Sequence, residues 1–491
     1  MTAEGPPANS EAAADAPRTG GSVMNAYYVL ALVAGRVFTV LTVIALSYIL
    51  DSHDFGIFVI IATNALLMHI LLFSWISNSS WKDVSSLSGA DQEARISNSL
   101  EYAALLSLLP LLAAAGMLIA DFGRFQYVAL TLVVAVATLF YELLLVISNA
   151  SGQSRDYSSI ALSRGLLSSA LSISLALAGF GVWGAVGGQI AGTVLTIVCR
   201  RSFWKLWSRL RFRRVSRSRL GAQIRFGLIS AFALNLYLMG SALCRNFILI
   251  RLGEAEAGYF SLSADIFYAP IALFATALSL SSIPELYRTA GKESGASHAS
   301  EFLAAVLAVC IPYGLAGLFV GPAIADLFLR PGVSEHVSSI AAHSIIQAAC
   351  FCILSTQTTI ALTQGRLKLA IGFPVATLAL LASALWRASL LSAGAPSLVR
   401  YAEVATAALV ALTIFVLLAS RPLLRVSILW GESLRIVAAA IAMALVLASL
   451  ALWPLPFAPL PAIALGGATF VGTAWLLGSR IVRSLLRLSL A

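Results

Sequence analysis

The chain contains few charged residues. Only 11% of its 491 residues are Asp, Glu, Lys or Arg, whereas ordinary globular chains carry about a quarter. With 59% hydrophobic residues and a mean hydropathy of +0.90, it lacks the polar side chains that a water-facing surface requires. A soluble fold is therefore excluded, and lipid must cover most of the exterior.

Patterns of catalysis and metal binding are also missing. The sequence has no paired Cys or His spacing in a loop, no Gly-rich phosphate loop and no loop long enough for a catalytic module. All five cysteines lie within or at the ends of apolar runs, which favours packing over disulfides or metal ligation. They are Cys199, Cys244, Cys310, Cys350 and Cys352. We therefore expect no enzyme, no metal and no cofactor.

Long apolar runs dominate the chain. About 20 helical residues cross the roughly 30 Å of hydrocarbon in a bilayer. Runs of this length occur near 24–50, 55–77, 98–120, 125–148, 158–179, 182–199, 222–250, 257–283, 302–328, 336–363, 367–391, 399–419, 433–453 and 459–478. The sequence thus predicts an all-α polytopic membrane protein with about 14 transmembrane helices.

The net charge of +10 indicates membrane topology and not nucleic-acid binding. Basic residues lie in short loops between the apolar runs, as expected because cytoplasmic loops retain positive charge. With the N-terminus in the cytoplasm, 25 of the 32 basic residues, Arg164 among them, are assigned to the inner side and 5 to the outer side. We expect both termini to be cytoplasmic.

The runs form two groups of six, followed by two more. Spans one and seven end in the same Leu, Gly and aromatic pattern, at Leu50, Gly56 and Phe58 and at Leu252, Gly258 and Phe260. Six spans separate the copies, so both have the same orientation, which indicates a parallel repeat. The predicted divisions are a disordered cytoplasmic tail (1–23), an N-terminal six-helix bundle (24–199), a basic cytoplasmic linker (200–221), a C-terminal six-helix bundle (222–419) and two further helices with a basic tail (420–491).

Two arginines lie where charge is expensive. Arg36 is in the middle of span one, and Arg245, followed by Asn246, lies in the outer half of span seven. An arginine at the bilayer centre costs about 2.5–3.5 kcal/mol on insertion scales, so it faces a cavity or an acid. One Arg on each wall of a central cleft would favour an anionic cargo. Structural pairing or snorkelling of each arginine is the alternative.

Two carboxylates are candidates for ion coupling. Asp265 lies inside span eight and Glu142 inside span four. Each either pairs with an arginine or carries a coupling proton, because burial without a partner favours the protonated carboxyl. His69 and His343 lie on otherwise apolar spans, and we expect both to be packing residues with satisfied hydrogen bonds.

Several motifs resemble the polysaccharide (O-antigen or exopolysaccharide) flippases of the multidrug/oligosaccharidyl-lipid/polysaccharide exporter superfamily. The residues that carry the resemblance are Gly35-Arg36, the Leu50 to Phe58 turn, Phe247 to Gly253, Ala257 to Phe260, and Pro284 to Tyr287. Asp51 and Ser52 replace the family's usual Gly-Pro. The order of six, six and two spans around a basic linker is similar too.

The resemblance implies a carrier of polyprenyl-diphosphate-linked oligosaccharide across the bacterial inner membrane, for polysaccharide biosynthesis. It implies that Arg36 and Arg245, with Asn246, attract the anionic cargo in a central cavity. Coupling to protons or sodium is open. A small-molecule antiporter of the same superfamily and a membrane-embedded sugar polymerase remain alternatives; the polymerase would need a long outer loop, and the sequence has none.

Overall fold

The computed structural model describes residues 21–483, apart from 86–88, 152, 209–216, 290–292, 392–396, 425, 427–428 and 452–458. Within that part the chain is helical, as predicted. The helices are α1 (Gly21–Ile49), α2 (Ser52–Leu72), α3 (Ser74–Ser85), α4 (Gly89–Ala120), α5 (Phe122–Ala150), α6 (Ser154–Leu175), α7 (Gly181–Val198), α8 (Arg201–Trp207), α9 (Arg217–Leu234), α10 (Leu236–Leu252), α11 (Glu254–Arg288), α12 (Glu293–Phe328), α13 (Val333–Thr363), α14 (Leu367–Leu391), α15 (Leu398–Leu424), α16 (Trp430–Ala451) and α17 (Pro459–Leu476). Most of the predicted N-terminal tail and residues 484–491 lie outside the described part.

The described helices confirm a multi-pass membrane protein. Ten are long and apolar enough to cross a membrane, or eleven when α9 and α10 are counted as one bent span. The run 155–198 counts once among the ten, although it contains α6 and α7. These two helices are separated at Gly179 and Gly181, which both have positive φ angles. The total of fourteen spans stays a prediction.

Close glycine contacts hold α6 and α7 together as an antiparallel hairpin. Gly184, Gly188 and Gly192, spaced four residues apart, face α6, and a Cβ on Gly188 would lie 2.3 Å from the backbone nitrogen of Ser172. A Cβ on Gly192 would lie 2.4 Å from the backbone nitrogen of Ser168. Small residues at this spacing let two membrane helices approach to backbone contact.

Two stretches differ from the predicted layout. The largely polar segment after α2 forms the separate helix α3, which the apolar runs of the sequence did not predict. Span seven begins at Arg217, inside the predicted linker, and divides at Asn235 into α9 and α10, which meet at 63°. The first residues of the same linker form α8.

The same helix neighbours recur in both halves of the chain. In the first half α5 packs against α2, α4 and α7, and in the second half α13 packs against α11, α12 and α15. Each helix in the second group corresponds to one in the first group, six spans earlier. The parallel repeat is therefore confirmed as the architecture, and α16 and α17 pack against α12 outside it.

The two halves meet where the repeated motifs cross. A Cβ on Gly258 of α11 would lie 3.1 Å from the Cα of Gly56 of α2, and a Cβ on Gly56 would lie 2.2 Å from the carbonyl oxygen of Glu254. The halves also touch beyond the other end of α2, where a Cβ on Gly227 of α9 would lie 2.3 Å from the carbonyl oxygen of Trp75. The halves thus make backbone contact at the start of α2 and again at the start of α3, just beyond the end of α2.

We expect Gly56→Ala to loosen the crossing of α2 and α11. The added methyl would overlap the Glu254 backbone, and overpacking of this kind costs about 1–3 kcal/mol. The thermal unfolding midpoint of the purified protein in detergent should fall. Gly116→Ala is the matched control, because Gly116 is also in a helix and nothing lies within 4 Å of its Cβ position. Equal midpoints for the two variants would contradict the close crossing.

Candidate functional site

A buried arginine joins both halves of the protein between the two end contacts. The guanidinium of Arg245, on α10, donates to the hydroxyl of Thr63 on α2 and forms an ion pair with Asp265 on α11 at 2.5 Å. Thr63 belongs to the first half, whereas Arg245 and Asp265 belong to the second. The arginine side chain is 8% exposed and the aspartate side chain 35% exposed. One charge therefore contacts both halves in the membrane-spanning part.

The two partners of Arg245 occupy equivalent positions in the repeat. Gly56 and Gly258 are 202 residues apart, and so are Thr63 and Asp265. Two helical turns past the glycine crossing, the guanidinium therefore lies between matching positions of α2 and α11. Arg245 has no such counterpart, because Val43 stands at the equivalent position of α1.

A pair of asparagines continues this polar contact. The side-chain amide of Asn246 donates to Asn64 Oδ1 at 2.8 Å, and the amide of Asn64 donates to Asn246 Oδ1 at 3.2 Å. Asn246 also donates to the carbonyl of Ala242 on its own helix. Buried amides without partners are costly, so this reciprocal pair fixes the register between α2 and α10.

The arginine cluster is electrically paired but not saturated. Asp265 balances the charge of Arg245, and the Nε atom of Arg245 is buried with no acceptor among the described residues. A buried donor left in this way favours a further acceptor. An anion entering beside the partly exposed Asp265 carboxylate would meet a guanidinium that is already oriented, which makes ligand exchange chemically reasonable.

The structure brings three of the predicted site residues together. Arg245 and Asp265 form the ion pair, and Asn246 lies next to it. Glu142 is half-buried on α5, in the first-half bundle. Arg36 lies on α1, but its side chain is outside the described part of the structure.

The repeat register separates the two predicted arginines. The position equivalent to Arg36 in the second half is Leu238, seven residues before Arg245. At 1.5 Å per residue this is about 10 Å along the span. The two arginines therefore do not occupy matching levels, and the expectation that they face each other across a cleft stays a prediction.

Sequence reasoning missed Thr63 and Asn64. Both are uncharged and lie in a strongly apolar helix, so neither attracted a functional interpretation. The available signal was their distance from Gly56, because the same distance from Gly258 leads to Asp265. The repeat motif therefore contained the position, although it did not identify the partner.

Ionisable side chains line one end of the contact between the halves. His53 Nε2 lies 2.8 Å from a carboxylate oxygen of Glu254, and the Tyr259 hydroxyl lies 3.1 Å from that of Ser52. Asp51 caps α2 by accepting the backbone N–H of Asp54. Since all of these groups are partly or fully exposed, they are worth little individually; they mark this end as polar.

These features define a helical membrane protein built of two repeated bundles, with a polar contact between them. Residues 45–314 match the model of a family described as polysaccharide biosynthesis protein, and the chain belongs to that family. The resemblance stated from the sequence is therefore confirmed. No curated protein sequence matches the chain.

Solved structures show the same fold. The lipid II flippase MurJ in an inward closed conformation is 14% identical, covers 94% of this chain and 99% of its own, and has a TM-score of 0.68. A MATE protein in a bent conformation is 15% identical, covers 82% of this chain and 95% of its own, and has a TM-score of 0.55. At these identities the likeness concerns the fold alone.

We expect Asp265→Ala to destabilise the protein strongly. Removing one partner of a buried ion pair costs on the order of 3 kcal/mol, because the other charge stays buried and unpaired. The double variant Arg245→Met, Asp265→Leu should recover most of that loss. Unfolding in detergent, followed by circular dichroism, would measure both. An Asp265→Ala protein as stable as the wild type would show that the ion pair contributes nothing.

Proposed function

We propose that this chain moves polyprenyl-diphosphate-linked oligosaccharides across the bacterial inner membrane for polysaccharide biosynthesis. Membership of the polysaccharide biosynthesis family supports the pathway. The fold shared with a lipid II flippase supports a lipid-linked cargo. In this proposal the N-terminal bundle (24–199) and the C-terminal bundle (222–419) rock against each other, and the lipid tail stays in the bilayer.

The position of Arg245 is the observation that carries the proposal. A diphosphate cannot enter hydrocarbon unless fixed charges or dipoles replace its water. Arg245 supplies a fixed guanidinium in the membrane-spanning part, at the boundary that alternating access would open. A planar guanidinium can also bind two phosphate oxygens at once.

Cargo binding and opening are coupled in this scheme by competition for one guanidinium. In this structure Arg245 contacts Thr63 in one half and Asp265 in the other. An arriving diphosphate would replace one or both contacts. Loss of the Thr63 contact would remove a polar link between the halves, so binding would favour their separation.

Asp265 is the stronger of the two coupling candidates. It is one-third exposed and directly paired with the proposed cargo ligand. Its protonation would release the guanidinium for an anion, which would link a proton to the transport cycle. Glu142 lies on α5 in the first-half bundle, whereas the ion pair lies on α10 and α11. We therefore assign Glu142 a secondary role.

The charge distribution supports the proposed orientation. The basic residues between spans favour a cytoplasmic location for the linker at 200–221 and for both termini. Substrate assembled on that side would enter from the end where α3 and α9 meet, and it would leave past Gly56 and Gly258.

We expect the charge-free double variant Arg245→Met, Asp265→Leu to be inserted and stable but unable to export. Surface polysaccharide in a strain that depends on this gene would be the readout, with membrane abundance measured by immunoblot. Met and Leu fill the site without charge, so lost folding would not explain lost export. Normal export by this variant would make the ion pair purely structural.

We also expect Arg36→Ala to abolish export while the protein stays abundant in the membrane. Arg36 lies about ten residues from either end of its span, where its charge would serve the cargo. Arg124→Ala, at an exposed position next to the start of α5, is the control and should export normally. If Arg36→Ala exports at the wild-type rate, Arg36 has no part in cargo binding.

A small-molecule antiporter gives a different pattern in the same strain. Loss of the gene would raise sensitivity to a toxic compound and leave surface polysaccharide unchanged. That result would replace the flippase by the antiporter of the same superfamily.

A further inference from the structure

A second intramembrane arginine lies inside the first-half bundle. Arg164 is on α6, ten residues after the helix begins at Ser154. In the sequence it lies near the start of the predicted span 158–179 and was counted with the inner-side residues. Its guanidinium carbon lies 4.1 Å from the centre of the Tyr141 ring on α5. Its Nε atom donates to the Thr193 hydroxyl on α7 through a long 3.5 Å hydrogen bond.

Within the described part of the chain, these contacts give Arg164 no ion-pair partner. No carboxylate of the described residues forms an ion pair with it, and no described residue accepts a hydrogen bond from its two terminal nitrogens. An aromatic face is worth only about 0.5–2 kcal/mol to a cation. An arginine on a membrane-spanning helix is unfavourable when only an aromatic ring and one hydroxyl contact it, so a further negative partner would stabilise it.

A second cation contacts the same helix. Arg200, just after α7, donates from one terminal nitrogen to the carbonyl of Ser159 and to the hydroxyl of Ser163, each at 2.8 Å. Ser163 directly precedes Arg164. No described carboxylate pairs with Arg200 either. Two cations on one short stretch of α6 repel each other unless an anion lies between or beside them.

His69 is another buried polar group of the first-half bundle. It lies on α2, is 5% exposed, and its Nδ1 atom has no hydrogen-bond partner among the described residues. We expected a satisfied packing histidine, and this atom is not satisfied.

The site is close to Arg36 in height. Helices α1 and α6 pack against each other, and a Cβ on Gly165 would lie 3.6 Å from the Cα of Gly35. Thr42 donates to Ser169 at 2.6 Å further along the same pair of helices. Arg164 and Arg36 therefore sit on adjoining turns of two parallel helices, about one residue from that contact.

We propose that Arg164 and Arg200, with Thr193, form a binding site for a phosphate group inside the first-half bundle. Arg164 would bind the phosphate oxygens directly, and Arg200 would hold the side nearer the linker. The phosphate could come from the lipid-linked cargo or from the headgroup of an anionic bilayer lipid. The cargo assignment rests on the proposed function, whereas phosphate binding itself does not.

Binding of inorganic diphosphate to the purified full-length protein, in an uncharged detergent, tests the site by isothermal titration calorimetry. We expect Arg164→Gln to weaken binding about tenfold, because charge-assisted hydrogen bonds to one guanidinium are lost. Arg164→Lys should retain more of the affinity, since it keeps the charge. Arg155→Gln, an exposed cation in the first turn of the same helix, is the matched control and should bind like the wild type.

Nanodiscs separate the two phosphate sources. If phosphatidylglycerol nanodiscs suppress diphosphate binding and phosphatidylcholine nanodiscs do not, the site holds a lipid headgroup; equal binding in both assigns it to the cargo's diphosphate. Wild-type protein without diphosphate binding, or equal losses in Arg164→Gln and Arg155→Gln, would overturn the site. Equal losses in the two variants would count against this site alone, whereas wild-type protein without diphosphate binding would also count against diphosphate binding at Arg245. Export by the Arg36 and Arg245 variants tests the transport function separately.

Discussion

The contact between Arg245, Thr63 and Asp265 constrains the rest of the arrangement. A guanidinium away from water needs hydrogen-bond acceptors from the protein. Here Thr63 of the first half and Asp265 of the second half each supply one. The backbone contact of Gly56 with Gly258 brings α2 and α11 close enough for this to happen. The glycines set the distance between the halves. The charge of Arg245 means that a ligand which replaces its contacts with Thr63 and Asp265 would have to be an anion.

This combination suits a carrier because its two kinds of contact differ in how they can be broken. The glycine backbone contacts at both ends of the boundary carry no net charge and offer no side chain to a cargo. Between them, the contacts of Arg245 with Thr63 and Asp265 can be replaced by those of a negatively charged ligand, which would again give the guanidinium acceptors. Under the proposed cycle, the ends govern access and the cluster governs which cargo is accepted. In the proposed phosphate site, the cations around Arg164 would extend the same preference for anions into the first-half bundle.

The sequence predicted this site unevenly. Arg245, Asn246 and Asp265 stood out because charged or amide side chains are rare in apolar spans. Thr63 did not stand out, because a hydroxyl in a helix can bond to its own backbone and needs no explanation. Arg164 was counted only with the inner-side charges, near the start of the predicted span 158–179, whereas α6 starts four residues earlier, at Ser154. The equal spacing of Thr63 and Asp265 from the repeated glycines is present in the sequence, but only the structure shows that both residues contact Arg245.

The sequence by itself determined the helical, membrane-spanning character, the direction of the repeat and the charge asymmetry. Each of these follows from a local requirement: a span must bond its own backbone and bury its own side chains in lipid. Only the tertiary structure decided that Arg245 pairs with Asp265 and reaches Thr63, 182 residues away. Hydropathy is a property of each segment alone, whereas the partner of a buried charge depends on which helices the repeat axis brings together.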